Sequence, residues 1–283
     1  MRDLKFLLPC LIAAACAATG CVSQTAALVS PESAITSQQG WPKADVTRLA
    51  NAAPGSILFI GNSYFYYNDS LHNHLNRMMQ ASGQGPDKGW VFKSSTIGGA
   101  ALFDQPIDHL LVPANLRVDR PFEVVIMAGQ SNAALTPERR ALFAQTAAQY
   151  AAKVRAAGGE PVLYMTHAYV PPHRQARPDM IDDVAALYVE TGNDIDALVI
   201  PVGLAFAQAY RRRPDIKLHK SYDGSHPSLL GTYLAAATTM ASLYGISPVG
   251  NGYDYFGEID PADARFLQEV AQDTVTRFYK RSK

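Results

Sequence analysis

Ser63 and His226 are the residues of this chain best placed to do chemistry, and Asp223 stands three positions before His226. A serine hydroxyl is a poor nucleophile at neutral pH. It needs a base within hydrogen-bond reach, and the base gains from a third group that fixes its tautomer and steadies its cation. The run Asp223-Gly224-Ser225-His226-Pro227 offers an acid and a base on one turn, so the carboxylate can hold one ring nitrogen while the other faces a serine. Gly224 lets such a loop bend, and Pro227 suits the start of a helix. Ser63 follows Ile57-Leu58-Phe59-Ile60-Gly61-Asn62, an apolar run of strand length that ends at a glycine. The expected chemistry is acyl transfer through a covalent serine intermediate.

Such a site also needs donors for a developing oxyanion. Three are available where strands are expected to end: the backbone N–H of Ser63, the backbone N–H of Gly99, and a side-chain amide from Gln130 or Asn132.

The elements that must position these groups alternate between strand and helix. Strands are expected over 56–60, 90–97, 122–127, 161–166 and 197–202. Helices are expected from Asp69 through Met79, over 136–157, 178–191, 203–213, 227–244 and 261–279. Asp69 and Thr136 are read as N-caps, and Met78 and Met79 as core filler. Alternation of this kind argues for one parallel sheet covered on both faces. In open sheets of that class, ligands sit at the carboxyl ends of the strands, where Ser63 falls.

Gly61-Asn62-Ser63, Gly99, Gly129-Gln130-Ser131-Asn132 and Asp223-x-x-His226 resemble the four blocks of the SGNH (GDSL-like) hydrolase family, in order and spacing. The resemblance covers roughly residues 55 to 245. It implies a three-layer α/β/α, flavodoxin-like fold and a Ser63–His226–Asp223 site. It also implies esterase or acyl-transfer activity on lipids, sugars or small esters, with no metal or other cofactor. Two positions depart from the family pattern. Asn62 stands where the first block usually has Asp, in a supporting place. In the third block, Ser131 falls on the position of the oxyanion-hole asparagine. Gln130, with its longer arm, or Asn132, after a slip of one residue, would then supply the amide, and Gln130 is preferred.

The 283 residues include 48% hydrophobic and 18% charged side chains, as a globular chain does. Lys+Arg and Asp+Glu are 25 each, which gives no reason to expect a nucleic-acid partner. The expected partner is a saccharide ester or a small-molecule ester. Arg211-Arg212-Arg213 before Pro214 reads as a cationic last helical turn. Residues 1–21 carry a secretory pattern: Arg2 and Lys5, then an apolar stretch from Phe6 to Ala18. Ala18-Thr19-Gly20-Cys21 resembles a lipobox, which predicts lipidation at Cys21, attachment to a membrane and a cell-envelope or periplasmic location. All three cysteines (Cys10, Cys16, Cys21) lie in that leader, so the domain has no disulfide. Residues 22–54 are expected to be a linker with a short helix over 44–52, and 55–283 the single domain.

His72 and His74 are two apart on an expected helix, which points them to different faces and toward solvent rather than to a shared metal. His109, His173 and His219 look isolated. His167 ends the fourth strand, either lining the substrate pocket or serving as a loop histidine. Two other functions compete with hydrolysis: a glycan-binding lipoprotein without turnover, and an O-acyltransferase.

Overall fold

Five short runs, four of them largely apolar and the edge run Val91–Thr96 mixed, form five parallel strands: β1 (Ser56–Gly61), β2 (Val91–Thr96), β3 (Val124–Met127), β4 (Glu160–Tyr164) and β5 (Leu198–Ile200). In the computed structural model, which describes residues 40–85 and 89–281, they join in the order β2-β1-β3-β4-β5. Ile57 to Ile60 and Val124 to Met127 are fully buried. Helices cover both faces of these strands, which is why they read as unbroken apolar runs rather than alternating ones.

The helices are α1 (Ser63–Tyr66), α2 (Leu71–Ala81), α3 (Ile107–Leu110), α4 (Pro137–Ala156), α5 (Met180–Asp194), α6 (Val202–Arg212), α7 (Leu229–Tyr244) and α8 (Pro261–Tyr279). α2, α6 and α8 pack around α7, while α4 and α5 pack together against β4, giving a three-layer α/β/α sandwich. Crossovers between parallel strands are almost always right-handed, so a strand order that reverses at β1 sends helices to opposite faces. α7 is rich in alanine and threonine because it is enclosed on nearly every side. Its buried Thr238 and Thr239 hydroxyls donate back to Leu234 O and Ala235 O. Arg212 and Arg213, at the cationic end of α6, reach Asp273 and Asp263 of α8.

Register brings the strand ends level. Gly61 pairs with Thr96, and Ile60 with Met127, so the residues after β1, β2 and β3 leave the sheet side by side. From β1 the chain crosses to β2 on one side, and later to β3 on the other. That reversal opens a crevice at the carboxyl end of β1, the place where open sheets bind ligands.

Three expectations need correction. No helix forms over 44–52. The described part of the expected linker does not hang free: Ala44 and Leu49 are buried, and Arg277 stacks its guanidinium over Trp41 at 4.1 Å. The N–H groups of Ala50 and Asn51 donate to the Glu160 carboxylate (2.9 and 3.0 Å), so this segment crosses the amino-terminal edge of the sheet and the packed unit starts near Trp41. Finally, the N-caps of α2 and α7 fall at Ser70 and Ser228 rather than at Asp69 and before Pro227. Asn68, Asp69 and Ser70 all have positive φ, which turns the chain before α2 can begin. Thr136 does cap α4, and α8 spans the expected residues. The leader with Cys21 lies outside the described residues.

Candidate active site

Asn62 builds the turn on which Ser63 sits. Its Oδ1 accepts from Tyr64 N–H (3.2 Å), capping α1. Its Nδ2 donates to Ala100 O (3.1 Å) and Gly129 O (3.0 Å), so one buried amide ties together the loops after β1, β2 and β3. Two carbonyl partners require a donor, and a carboxylate has none to give. This is the physical reason for asparagine rather than aspartate here. Gly61 is constrained as well, because a Cβ there would lie 2.7 Å from the Phe65 ring.

Ser63 Oγ lies 3.0 Å from His226 Nε2, and His226 Nδ1 lies 2.6 Å from Asp223 Oδ2. The ring nitrogen facing the carboxylate carries the proton, so the other can accept from the serine. Asp223 Oδ1 accepts from Ser225 N–H (2.8 Å) and His226 N–H (3.0 Å). Partial burial pushes the Asp223 carboxyl up. The two backbone donors and the His226 ring outweigh it and hold the group below its ordinary range.

The loop carrying Asp223 and His226 is closed at its base by a bridge between His219 and Pro227, and by Lys220 N–H donating to His226 O (2.8 Å). Gly224 has φ +63°, and a Cβ there would meet Val170 O at 2.0 Å. Its own carbonyl accepts from Val170 N–H (2.8 Å), which seats the loop on the segment after β4. The loop is thus held from the α7 side and the β4 side at once.

Among the described residues, no hydrogen bond takes up the N–H of Ser63 or of Gly99. Gln130 reaches across to Gly99, donating from Nε2 to its carbonyl at 2.7 Å. A primary amide has two N–H groups, so one remains for another acceptor beside Gly99. The Ser131 hydroxyl accepts from Tyr169 OH (2.7 Å), and Asn132 Oδ1 is buried without a partner. Of the three residues competing for the third donor, Gln130 is the one joined to Gly99.

Tyr67 and Gln105 are neighbours that the sequence reading did not single out. Tyr67 stacks on the His226 ring, with centroids 4.3 Å apart. It lies four positions after Ser63, one helical turn, and that spacing was the available signal. Tyr64, fully buried, hydrogen-bonds Ser225 Oγ at 2.9 Å, and burial raises its phenol well above the ordinary value. Gln105 is also buried and donates to Gly61 O (2.7 Å), fixing the end of β1.

Other histidines depart from expectation, but His167 is the loop histidine of its two expected roles. It is enclosed between Tyr64 (4.2 Å) and Phe206 (4.4 Å), and its Nε2–H donates to Ser225 O (2.8 Å). Burial pushes its pKa down to about 4. His219 is not isolated: it is buried, donating to Ala168 O (3.0 Å) and accepting from Tyr210 OH (2.7 Å). His74 does not face solvent but is fully buried, bonded to Asn68 O and Tyr253 OH, and His72 is half-buried. A tyrosine or carbonyl partner makes a neutral imidazole acceptable in a core. Among the described residues, no group of three His, Cys, Asp or Glu side chains is assembled that could hold a metal ion.

No protein-family model matches the chain, and no curated protein matches it. Solved structures do resemble it. A DUF4886 family protein from Bacteroides uniformis ATCC 8492 is 18% identical, with a TM-score of 0.62 over 77% of this chain and 93% of that one. A candidate SGNH hydrolase from Slackia heliotrinireducens is 23% identical, with a TM-score of 0.53 over 66% of this chain and 97% of that one. Axe2, an acetylxylan esterase from Geobacillus stearothermophilus, is 16% identical, with a TM-score of 0.53 over 70% of this chain and 98% of that one. The chain has the fold of the SGNH hydrolases.

Proposed function

We propose that this protein is a serine ester hydrolase that removes a short acyl group, acetyl foremost, from a saccharide or small ester. The hydrogen-bonded row Ser63–His226–Asp223 is the observation that carries this reading. His226 Nε2 takes the Ser63 proton as Oγ attacks the ester carbonyl. Asp223 holds the ring and balances its new charge. The oxyanion is received by the N–H groups of Ser63 and Gly99 and by the Gln130 amide. One such donor is commonly worth about 10²–10³ in rate. The tetrahedral intermediate collapses as His226 returns the proton to the leaving alcohol. Water, deprotonated by His226, then cleaves the acyl-enzyme, and Ser63 recovers its hydrogen.

The site needs only the ester and water, in keeping with the shared fold of acetylxylan esterases. The secretory leader supports export to the cell envelope, where glycan esters are met. Lipidation at Cys21 would tether the enzyme to a membrane, and a Cys21→Ala variant that partitions with membranes as the natural chain does would sink that part.

Purified mature protein should hydrolyse p-nitrophenyl acetate, and Ser63→Ala should abolish turnover and labelling by a fluorophosphonate probe. Equal hydrolysis by both forms would rule out Ser63 as the nucleophile.

A further inference from the structure

A small pocket opens beside the proposed oxyanion donors, between the segment that follows Gly99 and the first turns of α4. Its volume is about 40 Å³, and its walls include Ala101, Leu102, Phe103, Gln130, Leu142 and Phe143. We infer that this pocket receives the acyl group of the ester and limits its length to a few carbons. The inference rests on the serine hydrolase reading of the same site.

Connectivity ties the pocket to the oxyanion donors. Gln130 is both a wall of the pocket and the residue whose amide lies 2.7 Å from Gly99 O. The opposite wall, Ala101 to Phe103, continues directly from Gly99 and Ala100, and Ala100 O is held by Asn62. The pocket therefore shares its frame with the turn that presents Ser63.

Stereochemistry assigns the occupant. The tetrahedral carbon bears Ser63 Oγ, the oxyanion, the leaving oxygen and the acyl chain. The leaving oxygen must lie beside His226, which protonates it. Side chains that touch the His226 ring (Ser63, Asp223, Tyr64 and Tyr67) do not line the pocket. With the alcohol on the His226 flank and the oxyanion on its donors, the acyl chain is left the flank beyond Gln130.

Most of the lining is apolar and suits a short apolar chain, with the exposed Arg139 of α4 the one charged side chain on its border. Thr146 also borders the pocket, but its hydroxyl is spent on Leu142 O (2.7 Å). Phe143 forms a fixed floor. It is buried against the Tyr188 ring at 4.8 Å, and its own ring occupies the place a Cβ on Gly129 would take. Leu142 and Phe103 are exposed and form the lip. The space holds roughly three water-sized groups, at about 10–15 Å³ each. An acetyl to butyryl chain is accommodated, whereas an octanoyl chain must climb over the lip.

The test compares kcat/KM for p-nitrophenyl acetate, butyrate and octanoate in the natural chain, Leu142→Ala, Leu142→Trp and Ser63→Ala. Leu142 is exposed, so neither substitution disturbs the core, and thermal melts check this. Leu142→Ala should raise the octanoate-to-acetate ratio roughly tenfold, the scale on which apolar pockets discriminate. Leu142→Trp should lower the butyrate-to-acetate ratio. Ser63-dependent turnover with the natural chain-length ratios kept in both Leu142 variants would overturn the pocket assignment alone. Turnover independent of Ser63, or no turnover of any ester, would overturn the hydrolase reading and this inference with it.

Discussion

Tyr67 lies flat on His226, with ring centroids 4.3 Å apart and planes inclined by 14°. Its hydrogen bond with Tyr222, followed by burial, pushes the Tyr67 phenol up to about 12, so the ring stays neutral. An aromatic face is the negative side of its quadrupole and attracts a cation laid against it. In the proposed mechanism His226 becomes that cation when it takes the proton of Ser63. Asp223 supports the charge in the ring plane, and Tyr67 supports it from the face.

Removing that face should slow the reaction. A cation–π contact of about 0.5–2 kcal/mol corresponds to about a 2- to 30-fold loss in kcat/KM for Tyr67→Leu. Tyr67→Phe keeps the ring and should stay near the natural rate. The two variants, assayed on p-nitrophenyl acetate, separate the ring from the hydroxyl. A Tyr67→Leu enzyme as fast as the natural one would mean the stack has no part in catalysis.

Asn62→Asp introduces the residue usual in the SGNH block that Gly61-Asn62-Ser63 resembles, yet here it should be harmful. The buried Nδ2 donates to Ala100 O and Gly129 O, and a carboxylate would turn an acceptor toward both. Leaving a buried partner unsatisfied costs about 1–3 kcal/mol. Urea unfolding should show that loss, together with reduced turnover as the loops after β2 and β3 come loose. Unchanged stability would show that the amide bonds carry little.

Acid should destabilise the fold through its buried histidines. His167 is held down to about 4 by burial, against 6.5 for the free side chain. Below pH about 6.5 the unfolded chain takes a proton that the folded chain refuses, so stability falls as pH falls. The effect levels off once the folded state also titrates near 4, by which point His167 alone accounts for about 3 kcal/mol. Burial lowers His219 and His74 in the same direction. Urea midpoints at pH 7 and pH 5 should differ less in His167→Gln than in the natural chain. Equal differences would remove His167 from the account.

Legibility in the sequence followed the range of each interaction. Strands buried on both faces announce themselves as apolar runs, and the run ending at Gly61-Asn62-Ser63 needed no neighbour to be read. Asp223 and His226 share one turn, so their pairing is local. Thr136 before Pro137 marked the start of α4 for the same reason. His74 was misread because a period on a helix does not say which face another helix or loop will cover. Tyr253 and Tyr255, distant in sequence, decide that. The segment from Trp41 to Pro54 was misread because its anchors, Glu123, Glu160, Asn193 and Arg277, come from four distant stretches.

By itself, then, the sequence determined the types and local turns of the reacting groups: a serine at a strand end, and an acid and a base three residues apart. Only the tertiary structure decided that they meet. Ser63 and His226 are 163 residues apart, and their hydrogen bond depends on a sheet whose order reverses at β1. It also brought the Gln130 amide to Gly99 O, and set Tyr64 and His167 beneath Ser225. Such choices depend on how far a side chain reaches across neighbouring strand ends, and that distance exists only once the strands are in register.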